Sequence, residues 1–169
     1  PTRRSSDLTF TASNGATETV TVTITGAEDA SVITGAFTGA VSEDNVLTAT
    51  GALAISDVDT NDNPVTFADV AATAGDNSYG TFQLVSGTWT YALNNAAVQS
   101  LDAGQVVQDT HTFTASDGRT QTVTVTITGA EDASVITGAF AGAVSEDNVA
   151  SASGALAITD VDANDNPVV

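Results

Sequence analysis

The chain has 169 residues, which is enough for one domain or slightly more. Its 3 basic and 21 acidic residues give a net charge of −18, and a charge of this sign repels nucleic acid and anionic membranes. The absence of cysteine excludes a disulfide scaffold, a thiol nucleophile and a cysteine-ligated zinc site. No apolar run reaches the roughly 18–20 residues of a membrane helix, so we expect no direct membrane insertion.

The chain repeats itself with a period of 103 residues. Residues 9–66 and 112–169 are identical at 48 of 58 positions. We therefore predict a window on a tandem array, in which 9–29 is the final hairpin of one truncated repeat, 30–132 is a complete repeat and 133–169 begins another truncated repeat. Residues 1–8 share nothing with 104–111. They look like the translation of a sequencing adapter, so we expect this segment not to be native protein; a divergent linker is the alternative.

Apolar and polar residues alternate along most of the complete repeat, which is typical of half-buried antiparallel strands. In chain order, the pattern predicts seven strands, at about 31–37, 47–56, 64–71, 79–85, 88–93, 107–116 and 120–128. One short helix is expected between Asn95 and Gly104. Seven short strands in about 100 residues favour an all-β fold, a seven-stranded Greek-key sandwich of the immunoglobulin or cadherin type.

The large aromatic side chains of the repeat have two interpretations. Trp89 and Tyr91 lie two residues apart on one strand and therefore face the same way. They could form a sugar-binding platform, but a small sandwich with few large residues needs them in its core, and we favour the core. His111 shares the face of Phe113. With no second histidine and no cysteine, we expect packing there and not a transition-metal site.

The acidic residues fall at the two ends of the predicted sandwich. Because antiparallel strands alternate in direction, the lower loops of one repeat meet the upper loops of the next across an acidic linker, residues 129–133 after the complete repeat and 26–30 before it. This placement predicts two acidic junctions. The first gathers Glu28, Asp29, Asp57, Asp59, Asp62 and Asp117, and the second gathers Glu43, Asp44, Glu131, Asp132, Asp160 and Asp162, with Asp165 close by.

Carboxylates packed so closely repel one another unless a cation lies among them. A set of oxygen ligands without sulfur or imidazole suits Ca²⁺, and suits Mg²⁺ less well. The alternative is that these acids are solvated turn residues, an interpretation we prefer only for Asp102 and Asp109. The segment that begins at Asp57 is not an EF-hand, because its sixth and twelfth positions are Asp62 and Ala68 and not glycine and glutamate.

Several short motifs carry a resemblance to a known family. The segments ASDGRTQTVTVTITGAEDA, VSEDN, ALAISDVD, YGTF, GTWTY and VQSLDAG occur in the order found in VCBS repeats, the cadherin-like modules of large bacterial adhesins, often of the RTX type. The resemblance covers residues 9–169. It departs from the family at Glu28 and Glu131, where asparagine is common, and at Ser31 and Ser134, where proline is common.

The resemblance implies a structural extender repeat of a secreted bacterial surface adhesin that serves cell adhesion or biofilm formation. It implies Ca²⁺ at the junctions between neighbouring repeats, type I secretion and an extracellular location. Other domains of such a protein would bind a cell surface or a glycan. The alternative is a module that itself binds carbohydrate or a cell surface. We do not expect an enzyme, because the paired carboxylates lie in charged junctions with no sign of a pocket.

Overall fold

The computed structural model describes residues 3–59, 61–166 and 168, and this part of the chain is all-β. Its twelve strands are β1 (Arg3–Thr11), β2 (Thr17–Thr25), β3 (Val32–Gly35), β4 (Thr38–Ser42), β5 (Thr48–Ser56), β6 (Val70–Ala74), β7 (Gly80–Val85), β8 (Thr88–Leu93), β9 (Val106–Thr114), β10 (Thr120–Thr128), β11 (Val135–Gly138) and β12 (Leu156–Thr159). No helix in the described part is long and apolar enough to cross a membrane.

Strands β3 to β10 form the central sandwich, defined here as residues 32–128. One sheet has five strands in the order β3-β5-β8-β7-β6, and the other has three in the order β4-β10-β9. All strand pairs are antiparallel except β4 and β10, which run parallel. This arrangement confirms the β-sandwich expected from the alternating pattern.

The core lies between the two sheets and is centred on aromatic side chains. Trp89, Tyr91 and Phe82 are fully buried, so Trp89 and Tyr91 are core residues and form no exposed platform. The indole nitrogen of Trp89 donates a hydrogen bond to the Ala36 carbonyl at 2.7 Å. A Cβ atom at Gly51 would approach the indole to 2.6 Å, so a glycine is needed there to admit the ring.

The first predicted strand, at 31–37, contains β3 alone, and it is followed in the other sheet by a strand that the sequence did not predict, β4 (Thr38–Ser42). Gly35 has a φ of +135°, and a Cβ atom there would lie 2.0 Å from the Ala52 carbonyl oxygen, so only glycine fits this bend. After the bend the chain crosses to the second sheet as β4. The sandwich therefore has eight strands, one more than the alternation predicts, because periodicity does not show a change of sheet.

Two further boundaries differ from the prediction. The strand expected at 64–71 pairs with β7 only from Val70 onwards. Before that point, Phe67 forms an isolated β-bridge to Ala115, the residue that follows β9. The helix expected between Asn95 and Gly104 is one 3-10 turn, Asn95–Ala97. It ends early because the segment that follows turns Val98 and Leu101 into the core, where both side chains are buried.

Two smaller sheets flank the central sandwich, one formed by β1 and β2 and the other by β11 and β12. The sequence of β2 nearly repeats that of β10, yet Val22 is 53% exposed whereas its counterpart Val125 is fully buried. Residues 3–8 belong to β1 and pair with β2 over their whole length. The origin of residues 1–8 and the boundaries of the repeats stay predictions.

Asp109, on β9, is a fully buried carboxylate inside the sandwich. It accepts hydrogen bonds from the backbone amides of Asn77, Tyr79 and Gly80 at 2.9–3.1 Å and from the Tyr91 hydroxyl at 3.1 Å. The interpretation of Asp109 as a solvated turn residue is therefore wrong. Its carboxylate fixes the turn between β6 and β7 against β9, and it raises the pKa of Tyr91 together with burial, which is the larger cause.

Replacing Asp109 by alanine leaves several buried donors without an acceptor. We expect Asp109→Ala to lower the free energy of unfolding by at least about 3 kcal/mol, since each orphaned buried donor costs about 1–3 kcal/mol. Urea unfolding followed by Trp89 fluorescence measures the change. The control is Asp76→Ala, which removes an exposed carboxylate bonded to the Thr110 hydroxyl and should cost under about 1 kcal/mol. Equal losses in the two variants would contradict a special role for Asp109.

Candidate functional site

The second junction lies where the linker leaves β10. Glu43 is a residue of the central sandwich that contacts the linker there. The Glu43 side chain is 1% exposed. One carboxylate oxygen accepts from the Ala130 amide at 3.0 Å, and the other accepts from the Gln99 side chain at 2.7 Å. The Glu43 amide donates to the Thr128 carbonyl at 2.9 Å. Glu43 therefore binds the linker to the lower end of the central sandwich.

The linker is bound from the other side by the loop that follows β12. The Asp132 amide donates to Asp162 Oδ2 at 2.9 Å, and the Asp162 amide donates to Asp160 Oδ1 at 2.9 Å. The Asn166 side chain closes this loop by donating to the carbonyls of Asp160 and Asp162 at 3.0 and 2.9 Å. Asp162 is thereby held against the linker and is fully buried.

Two buried carboxylate oxygens at this junction have no hydrogen-bond partner. They are Asp132 Oδ2 and Asp162 Oδ1, and they are the only such side-chain atoms in the part of the chain that the structure describes. A buried charged oxygen without a partner is costly, and native proteins rarely keep one without a reason. Hydrogen bonds within the described part of the chain therefore leave these two acceptors unsatisfied.

A second set of acids completes the junction. Carboxylate oxygens of Glu131, Asp162 and Asp165 all lie within 4.8 Å of one another. Asp162 thus belongs to this set and also accepts the hydrogen bond from the Asp132 amide. Asp44 lies at the rim, where it accepts from the side chains of Asn95 and Gln99.

The electrostatics of the junction reflect this crowding. Burial raises the pKa of Glu43 above its ordinary value, whereas the hydrogen bond from the Ala130 amide lowers it. The charges of Asp132, Asp44 and Asp162 raise this pKa further. Burial likewise raises the pKa of Asp132, followed by the charges of Asp44, Asp162 and Asp160. The charge of Asp165 is the largest cause of the raised pKa of Glu131.

The first junction repeats part of this arrangement. The Asp29 amide donates to Asp59 Oδ2 at 2.8 Å, as Asp132 does to Asp162. Oxygens of Glu28, Asp59 and Asp62 lie within 4.8 Å of one another, and a side-chain hydrogen bond with Asp62 is the largest cause of the raised pKa of Glu28. Glu28, Asp29 and Asp62, together with Asp57 and Asp117, line an open cleft of about 580 Å³.

Asp117 differs from the other acids of the first junction, because its charge is already stabilised. It accepts hydrogen bonds from the Ser31 hydroxyl and from the Arg119 amide. The Ser31 hydroxyl is the largest cause of its lowered pKa. Of the predicted ligands, Asp117 therefore has the least need of a cation to stabilise its charge.

The structure brings the predicted acids together at two junctions, although their role as metal ligands stays a prediction. Those at the first are Glu28, Asp29, Asp57, Asp59, Asp62 and Asp117, and those at the second are Glu43, Asp44, Glu131, Asp132, Asp160 and Asp162. Sequence reasoning missed the asparagines that close each loop, Asn63 and Asn166. Their signal was present, since both follow an Asn-Asp pair that begins two residues after the Asp-Val-Asp motif.

Comparison with known proteins assigns the central part of the chain. A family model described as a bacterial cadherin-like domain matches residues 28–129, which is more than half of the chain. No curated protein matches the sequence.

The raised pKa values predict how stability depends on pH when cations are removed. The folded state holds these carboxyl protons more tightly than the unfolded chain, whose groups titrate near 3.8 and 4.5. In chelator, therefore, the repulsion should weaken and the midpoint of thermal unfolding should rise as the pH falls from about 7 to about 5.

Glu43→Gln removes one of these charges, so the midpoint of thermal unfolding should depend less steeply on pH. The matched control is Glu146→Gln, which changes the exposed glutamate of the second VSEDN motif and should leave the slope intact. A midpoint that falls over the same pH range in wild type would contradict carboxylate repulsion at the junction.

Proposed function

The chain belongs to the bacterial cadherin-like domain family, and on that premise we propose that it is a structural extender repeat of a secreted surface adhesin, rigidified by Ca²⁺ at the junctions between repeats. Domains of this family are typically structural or adhesive and not catalytic. The proposal rests chiefly on one observation, the fully buried and unpartnered Oδ1 of Asp162.

The chemistry of the junction suits Ca²⁺ best. The available ligands are carboxylate and carbonyl oxygens, which are hard donors, and the chain has no cysteine. Ca²⁺ takes six to eight such oxygens at about 2.3–2.6 Å in flexible geometry, whereas Mg²⁺ demands a near-ideal octahedron. Asp162 Oδ1 and Asp132 Oδ2 offer two buried oxygens, and Glu131 and Asp165 offer further ones within 4.8 Å of an oxygen of Asp162.

A cation at this place would join three parts of the chain. Glu43 comes from the central sandwich, Asp132 from the linker, and Asp162 from the loop after β12. Binding to the folded junction and not to the unfolded chain stabilises the native state by mass action. It also fixes the angle between consecutive repeats, which is what a spacer requires. On this proposal, residues 30–132 form a complete repeat between parts of two others.

The wider setting follows from the proposed cation. Millimolar Ca²⁺ is met outside the cell, so an extracellular location at the bacterial surface agrees with a junction of this kind. The narrower assignments, a VCBS repeat of an RTX-type adhesin with type I secretion and a part in biofilm formation, rest on the sequence resemblance. The alternative of a glycan-binding module loses its aromatic platform, since Trp89 is fully buried.

Thermal unfolding tests the proposal. In millimolar Ca²⁺ the midpoint of the full chain should rise by about 5–15 °C over its value in chelator, as expected for a ligand well above its dissociation constant. Asp162→Asn should remove at least half of this rise. In chelator the variant should be as stable as wild type or more stable, because it relieves the repulsion around Asp132.

The control is Asp147→Asn, an equal change of charge in the exposed VSEDN motif of the C-terminal segment. It should keep the full effect of Ca²⁺. Equal midpoints of wild type in Ca²⁺ and in chelator would refute the proposed role of the cation, and so would an undiminished rise in Asp162→Asn.

A further inference from the structure

A contact that uses none of the proposed cation ligands also joins the central sandwich to the C-terminal segment. The Asn164 amide donates to Asp102 Oδ1 at 2.9 Å, and the Asn164 side chain donates to Asp102 Oδ2. Beside them the Ala163 amide donates to the Ser100 carbonyl at 3.3 Å. One carboxylate thus accepts two hydrogen bonds from a single residue of the following segment, and bonds to a charged acceptor are the stronger kind.

The accepting side of this contact, residues 98–105, is rigid. Val98 and Leu101 anchor it in the core of the central sandwich, with exposures of 1% and 7%. The linker passes directly beneath it, because a Cβ atom at Gly129 would lie 2.5 Å from the Asp102 carbonyl oxygen. The Gln105 side chain accepts a hydrogen bond from the Asp102 amide at 3.2 Å, which fixes the residue further.

The donating side is also shaped in advance. The loop at 160–166 is closed by the Asn166 side chain and by the bond from the Asp162 amide to Asp160. The copy of this loop at 57–63 has the same internal bonds, made by Asn63 and Asp59. Since both copies keep the same internal hydrogen bonds, little ordering is needed when Asn164 meets Asp102.

From these contacts we propose that Ser100 and Asp102 form an interaction surface for the Asn-Asp-Asn loop of the following repeat. This surface sets the relative orientation of consecutive repeats without a cation. The inference rests on the proposed function as a repeat array. It assigns the choice of orientation and the stabilisation of that orientation to two different sets of contacts. We call these contacts, Asp102 with Asn164 and Ser100 with Ala163, the polar clamp. The polar clamp selects the orientation, and Ca²⁺ then stabilises it.

The clamp makes the junction directional. Asp102 lies at the lower end of a repeat and Asn164 at the upper end of the next, so the two surfaces fit only head to tail. It also counteracts the carboxylate repulsion around Asp132 and Asp162, whose oxygens the clamp does not use. The expected consequence is a junction that is already ordered before the cation binds and therefore binds it more tightly.

Pulsed electron paramagnetic resonance can measure this order directly. The chain has no cysteine, so Gln83→Cys in β7 and Ala157→Cys in β12 place one spin label on each side of the junction of the full chain. In chelator, wild type should give a narrow distance distribution. Asp102→Ala should broaden it by at least about twofold, because the loop loses its charged acceptor. In saturating Ca²⁺ both proteins should be narrow.

Calcium titration of the same proteins adds a second readout. Asp102→Ala should raise the half-saturating Ca²⁺ concentration by about three- to tenfold, since the cation must then order the junction itself. The exchange of Asp102→Asn with Asn164→Asp restores a carboxylate opposite an amide and should recover the narrow distribution. The control, Asp69→Ala, removes a carboxylate that accepts the Ser86 amide within the central sandwich and should leave the distance unchanged.

The possible outcomes separate the clamp from the cation. An unchanged distribution in Asp102→Ala in chelator would overturn the inference. A wild type that is broad in chelator and narrows only with Ca²⁺ would also overturn it, while supporting the proposed function. Broadening in Asp102→Ala together with no Ca²⁺ binding in any protein would support the clamp and refute the proposed role of Ca²⁺.

Discussion

The junction between the central sandwich and the C-terminal segment depends on how buried carboxylates of like charge are held together. Asp162 is fully buried, and its Oδ1 and the Oδ2 of Asp132 have no hydrogen-bond partner. Burial raises the pKa of Glu43 and of Asp132, and the neighbouring acids raise both further. Amides of the linker donate a hydrogen bond to one carboxylate oxygen of Glu43 and to one of Asp162. These bonds do not change the net negative charge of the junction. A cation of high coordination number is the simplest partner that satisfies both the orphaned oxygens and the charge.

The sandwich serves to bring these acids to one place. Parallel pairing of β4 with β10 puts Glu43, which follows β4, beside the linker that leaves β10. The core holds this register, because the apolar face of β10 is fully buried against the five-stranded sheet. Inside the fold, Asp109 uses its carboxylate to bind a turn with amides and a hydroxyl as donors. Buried acids thus have two uses in this chain, one satisfied by the protein alone and one for which we propose a cation.

The sequence predicted the features that depend on local pattern. Period-two alternation put Trp89 and Tyr91 on one face, and the scarcity of large residues placed that face in the core. Alternating strand direction placed Glu43 and Asp162 at the same junction. The bend at Gly35 escaped prediction, because a change of sheet depends on the close approach of Ala52. The clamp between Asp102 and Asn164 escaped for the same kind of reason, since it joins residues 62 positions apart through two irregular loops. Asp109 alternates with His111 and Phe113, and that pattern could have shown that it points inward.

A crystal structure of the full chain grown in Ca²⁺ would show what occupies the second junction. We expect a cation at about 2.3–2.6 Å from both Asp162 Oδ1 and Asp132 Oδ2, with further carboxylate oxygens around it. Anomalous scattering distinguishes Ca²⁺ from water at this position. Ordered water molecules that donate to both oxygens, with no cation in the junction, would refute Ca²⁺ binding there.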